Sequence, residues 1–298
     1  MVYLKSFSLT SISQEEQFLN NFAHTCFDSY YPFMLFPNKR LESVEFDHIT
    51  IFCGGNGSGK STLLNIIAEK LQFERETPYN KTYFFDSYLQ TCDFWLNVKN
   101  ESELRDLRRV SKIITSDDVF NHIIEVRKRN ENLDFKRRVI FDEKHDMNKY
   151  GYSFPRGFNA DDPESTKNYI NFYNKAKKSA SSYVRRNVGV DERTYSNGEN
   201  GFKYFTDAIQ PGGLYLLDEP ENSLSAEMQL ELVQFIQGMA RFYDCQFILS
   251  SHSPFILSIP YARIYNMDSD PVATCKWTEL PNVRIFHDFF KEHSSEFA

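Results

Sequence analysis

The chain has 298 residues, 41% hydrophobic and 25% charged, enough for one large core or a core carrying an insertion. No apolar run approaches the roughly 20 residues that span a bilayer, and the opening MVYLKSFSLTSISQEEQ lacks the basic start, apolar stretch and cleavage site of a signal peptide, so a cytoplasmic protein without membrane contact is expected. Cys26, Cys53, Cys92, Cys245 and Cys275 are scattered and form no CxxC pair, which points to reduced thiols, and the net charge of −7 speaks against an indiscriminate nucleic-acid binder.

The first segments read as β structure: Val2 to Leu9, Tyr30 to Phe36 and Leu41 to Phe46. The apolar run Ile49-Thr50-Ile51-Phe52-Cys53 leads into a glycine loop, after which Leu63 to Leu71 carries Leu, Ile and Ala at helical spacing. From about Lys99 to Val190 the pattern turns polar and mostly helical, with Ser116-Asp117-Asp118 as a helix start before Val119 to Arg127. That stretch holds 20 Lys and Arg against 14 Asp and Glu, a net of +6, and leaves −13 for the rest of the chain. It reads as an inserted basic lid without sustained heptads, too short for a long coiled-coil arm. Core-like sequence returns with Leu214 to Leu217, a helix over Ala226 to Phe242, and Gln246 to Ser250. Continuous apolar runs separated by a helix predict parallel strands buried on both faces, so the fold class is α/β.

Four motifs carry chemistry. Gly54-Gly55-Asn56-Gly57-Ser58-Gly59-Lys60-Ser61-Thr62 fits G-x-x-x-x-G-K-[ST] between a strand and a helix. Glycines let the backbone curl round phosphates so that amides and the positive helix end face the anion. Lys60 would reach the β- and γ-phosphates of ATP, and the Ser61 hydroxyl would ligate Mg²⁺. Leu214-Tyr215-Leu216-Leu217-Asp218-Glu219-Pro220 ends a strand in two acids, the first suited to Mg²⁺ through water and the second to orienting or deprotonating the attacking water. Between them lies the polar loop Tyr195-Ser196-Asn197-Gly198-Glu199, and beyond them Ser250-Ser251-His252-Ser253-Pro254 closes the next strand.

Glycine loop, S-x-G-E, LLDEP and a strand ending in histidine, in that order, resemble the ATP-binding-cassette class, most of all its soluble branch of chromosome-maintenance and break-repair ATPases and the predicted ATPases related to the overcoming-lysogenisation-defect proteins. The resemblance covers about residues 1–98 and 191–298. It implies a P-loop core with a mixed, largely parallel sheet and an N-terminal antiparallel β region, and it does not extend to residues 99–190, the helical insertion. It also implies composite sites: Ser196 and Gly198 of one subunit touch the γ-phosphate held by the other in an ATP-dependent, head-to-tail homodimer. His252 matches the switch histidine, Glu221-Asn222-Ser223-Leu224-Ser225 the dimer-contacting loop, and Gln90 is the available counterpart of a glutamine near the γ-phosphate and metal. Asn197 and Tyr195 depart from the LSGGQ form of the signature. An adenine-stacking aromatic could come from Tyr30, Tyr31 or Phe33.

The expected function is hydrolysis of Mg-ATP coupled to a nucleic acid, through the basic insertion, or to a partner protein, in DNA repair or in antiphage defence beside a separate nuclease. The alternative is the ATP-binding subunit of a membrane transporter. A small-molecule kinase or GTPase has no use for Ser196 or His252, and no NKxD motif is present.

Overall fold

The computed structural model describes residues 1–21, 26–150, 162–168, 184, 188 and 197–297. The chain divides into two compact units, Met1–Asn121 with Ser196–Ala298, and His122–Tyr195.

In the first unit a six-stranded sheet is ordered β5-β6-β7-β3-β8-β9. Its strands are β3 (Ile49–Cys53), β5 (Lys112–Thr115), β6 (Leu214–Asp218), β7 (Gln246–Ser250), β8 (Arg263–Asn266) and β9 (Ala273–Thr274). All pairs are parallel except β8 with β9. Every residue of β3 and β7 is buried, because β3 runs between β7 and β8, and β7 between β6 and β3. Strands covered on both faces have no solvent side to mark, so their sequences read as unbroken apolar runs. A second, antiparallel sheet is ordered β2-β1-β4, from Ser43–Glu45, Leu4–Ser8 and Asp93–Leu96.

Gln246, fully buried at the start of β7, ties the two sheets together. Its Oε1 accepts from the amides of Tyr3 and Leu4, both at 2.8 Å, and its Nε2 donates to the carbonyls of Leu4 and Asp47 at 2.9 and 3.0 Å. Helix α1 (Lys60–Leu71) buries Leu63, Leu64, Ile66, Ile67 and Leu71, and ends at Gln72, whose left-handed backbone (φ 59°) returns its amide to the carbonyls of Ala68 and Glu69.

Two expectations are corrected here. Tyr30 to Phe36 is a set of turns, closed by Phe33 N to Tyr30 O and Leu35 N to Pro32 O, with Met34 at φ 66°. Its apolar density comes from ring packing, Phe33 stacking on Phe18 at 4.4 Å, and not from strand pairing. The insertion does not begin at Lys99, since β5 is the edge strand of the parallel sheet and pairs with β6. Helix α2 (Glu101–Val110) before it buries only Leu107, so its charges are the solvated face of a core helix. Arg108 there donates from Nε to the Leu71 carbonyl at 2.9 Å, and Arg109 lies 3.7 Å from Asp106. Helix α3 (Ser116–Tyr150), which starts at the Ser116 expected to open a helix, then runs for 35 residues and carries the chain into the second unit.

Candidate active site

The glycine loop joins β3 to α1. Gly59 takes φ +94°, a conformation closed to ordinary side chains, and a Cβ on Gly54 would come within 2.9 Å of Met267 Cβ and Ser58 Oγ. Glycine is therefore required at both ends of the loop. Lys60, 4% exposed, folds back so that Nζ donates to the carbonyls of Gly54 and Gly55 at 2.8 and 3.1 Å. Asp268, in the turn that follows β8, accepts from the Gly55 amide at 2.6 Å and braces the loop. Asn56 and Gly57 at the tip are exposed, and Thr62 accepts a hydrogen bond from the Tyr31 hydroxyl at 2.8 Å. Among the three aromatic candidates for the base, Tyr31 is thus at the phosphate loop, whereas Phe33 is in the core and Tyr30 packs on Phe84.

Asp218 ends β6 in register with Ser250 of β7. Its Oδ1 accepts from Ser61 Oγ at 3.0 Å and from Ser250 Oγ. Burial pushes its carboxyl above the usual range, a shift the two hydroxyls oppose. An all-oxygen set of a hydroxyl and a carboxylate fits a hard divalent cation, so Ser61 and Asp218 are the residues that would hold Mg²⁺. A cavity of about 360 Å³ opens beside them, lined by Tyr31, Asn65, Arg75 and Thr115 among others.

Glu219 sits in the left-handed region at φ 49°, ψ 53°, with its amide bonded to the carbonyl and hydroxyl of Ser250 at 3.1 Å each. Such a backbone costs a non-glycine residue about 1–3 kcal/mol, and here it aims the carboxylate at Lys60 and His252. Oε1 lies 3.4 Å from His252 Nε2 and 4.0 Å from Lys60 Nζ, and Oε2 accepts from Asn222 Nδ2 at 2.9 Å. The His252 contact, then Asn222 and Lys60, outweigh partial burial and hold the carboxyl down at about 2. The carboxyls of Asp218 and Glu219, adjacent in sequence, are thus shifted in opposite directions.

The other expected residues are placed unequally. Gly198 stands in the first turn of helix α4 (Asn197–Ala208), where a Cβ would meet the Ser225 amide at 3.5 Å, while Ser196 lies outside the described residues. Gln90 is not brought to the metal ligands. Its helical neighbour Leu89 gives its carbonyl to Lys70 Nζ at 2.8 Å, and Lys70 is ten residues beyond Lys60, about 15 Å along α1. Gln90 is exposed at that far end. Ser250, Asn222 and Asn282 were not singled out from the sequence, although a serine closing the otherwise apolar QFILS beside the strand that ends in Asp218 is a usable signal for the first.

No curated protein matches the sequence. Among solved structures, the Smc head domain from Pyrococcus furiosus, with an extended coiled coil and bound to the C-terminal domain of ScpA, is similar at 14% identity, covering 97% of this chain and 100% of that one at a TM-score of 0.43. The dimeric ATP-binding cassette MJ0796 in a post-hydrolysis state with ADP and Pi is similar at 15% identity over 80% and 90% of the two chains, with a TM-score of 0.36. A family model described as an AAA domain, which also names the AbiEii toxin of type IV toxin–antitoxin systems, matches residues 204–258. The ABC transporter family model matches residues 42–222. Since that match starts ahead of β3, takes in the whole phosphate loop and ends beyond Glu219, over more than half of the chain, this protein belongs to the ABC transporter family and is an ABC-type P-loop ATP hydrolase.

Proposed function

We propose that the protein hydrolyses Mg-ATP at composite sites in a head-to-tail homodimer and uses the assembly to act on a nucleic acid or a partner protein inside the cell. The observation that carries this reading is Glu219, a side-chain carboxyl on a left-handed backbone, set between Lys60 and His252. Lys60 and the loop amides bind the triphosphate, and Ser61 with Asp218 hold Mg²⁺, which when bound neutralises phosphate charge. Lys60 turned to the phosphates leaves Glu219 free to accept the proton of the attacking water, while His252 orients the carboxylate and senses the γ-phosphate. Phosphoryl transfer to water needs positioning and charge neutralisation more than covalent chemistry, and these groups supply both.

The second half of the site comes from Gly198 and Ser196 of the other copy. In support, Gly198 opens a twelve-residue helix whose positive end suits an anion, and it lies beside Ser225 in the loop that follows the acids. The role we propose is in DNA repair or antiphage defence, with any nuclease or other effector on a separate chain. Among the described residues no helix is long and apolar enough to cross a membrane, so service to a transporter would require a separate membrane subunit, which co-purification would reveal.

The test is Glu219→Gln, which keeps the side chain's shape and removes the base. ATP should bind without being cleaved, and light scattering with Mg-ATP should show a dimer that Ser196→Arg disperses, measured against the nucleotide-free protein. A Glu219→Gln protein that stays monomeric with saturating ATP, or an assembly indifferent to Ser196→Arg, would refute the composite site.

A further inference from the structure

Glu221 belongs to the loop expected to meet a second subunit, yet its side chain turns into its own molecule. Oε1 accepts three hydrogen bonds from consecutive residues: Ser251 Oγ at 2.8 Å, the His252 amide at 2.6 Å and the Ser253 amide at 3.1 Å. Its other oxygen, Oε2, is buried without a hydrogen-bond partner. Burying a carboxylate is costly, and a loop whose only task is to face another chain has no need of it. The three donors belong to the turn that carries His252.

That turn is also fixed from other directions. Asn282 Nδ2 donates to the His252 carbonyl at 3.1 Å, and Ser253 Oγ donates to Gln229 Oε1 at 2.7 Å. The peptide on each side of His252 is therefore held, and the ring has little freedom but rotation about its own side-chain bonds. Its Nε2 faces Glu219. The next residue along, Asn222, holds Glu219 from the opposite side. Two neighbours in sequence, Glu221 and Asn222, thus fix the two members of one pair.

We propose that Glu221 is a positioning residue for ATP hydrolysis, acting through the backbone of His252 to set the distance between the imidazole and Glu219. The proposal rests on the reading of His252 and Glu219 given above. One oxygen does the accepting, so an amide oxygen can replace it, and a side chain without an acceptor cannot.

The experiment is a double-mutant cycle on steady-state ATP hydrolysis. Glu221→Ala should lower kcat by about tenfold or more while leaving KM for ATP within about twofold, and Glu221→Gln should stay within about twofold of the parent in both. In a His252→Ala background, Glu221→Ala should cost nothing further, because the group it positions is gone. If Glu221→Ala does not fold, Glu221→Leu fills the same volume without an acceptor and carries the same expectation. Equal losses in the two backgrounds, or a Gln variant as impaired as the Ala variant, would overturn this proposal alone. An unchanged kcat in His252→Ala would overturn the role of His252 and this proposal with it.

Discussion

Glu15 shows how one acid can set a pH dependence far from the chemistry. Its side chain is fully buried and accepts a hydrogen bond from the Met34 amide, and burial pushes its carboxyl up from 4.5 to about 7. Between those values the folded protein keeps the proton and the unfolded chain releases it, so the contribution is complete below pH 4.5 and lost as pH rises through about 7. Glu15→Gln keeps an oxygen for Met34 and cannot ionise. Its melting temperature minus that of the parent should grow from pH 4.5 towards 7 and then level off. A difference independent of pH would contradict the assignment. At this scale the site was legible where the chemistry is written in adjacent residues, as at Lys60, Ser61, Asp218 and Glu219. It was not legible where a contact depends on packing. Gln90 has the right side chain, but the helix that carries it lies against the wrong end of α1. Glu221 was visible only as part of a loop, since nothing local shows that its carboxylate turns inward.

At the scale of elements, strand boundaries were read well wherever both faces are covered, because a fully buried strand leaves an uninterrupted apolar run between polar ends. The failures have one origin, a local pattern with two structural causes. Seven residues rich in Tyr and Phe can pair as a strand or pack their rings from turns, and Tyr30 to Phe36 does the second. A charged amphipathic stretch can start an insertion or belong to the core unit, and Glu101–Val110, with three Arg against three acids, does the second. Gln246 makes a testable case of the opposite kind, a polar residue that an apolar core requires. Gln246→Leu preserves bulk but strands two amides and two carbonyls at the junction of the sheets. It should cost about 3 kcal/mol, read as a lower urea midpoint with an unchanged slope. A loss below about 1 kcal/mol would show that water or backbone shifts satisfy those groups.

At the scale of the molecule, the basic character assigned to the insertion divides between the two units. Arg105, Arg108 and Arg109 belong to the first, whereas Arg127, Lys128, Arg129, Lys136, Arg137 and Arg138 lie along the long helix in the second. Lys175, Lys177 and Lys178 lie outside the described residues. If that helix tracks a phosphate backbone, DNA or RNA affinity measured with ATP should fall steeply with salt, and neutralising Lys128 and Lys136 together should reduce the log–log slope by about 1–2. Binding that is absent or indifferent to salt would leave a protein partner as the reading.

β7 has a consequence of its own. Its first residue, Gln246, is bolted to the antiparallel sheet, and its last, Ser250, is bonded to Asp218 and through its backbone to Glu219. The span between them is about 13 Å of extended chain, which covalent geometry does not allow to stretch. The strand is therefore a strut. A push on the antiparallel sheet must either break the Gln246 bonds or arrive, undiminished in length, at the two acids.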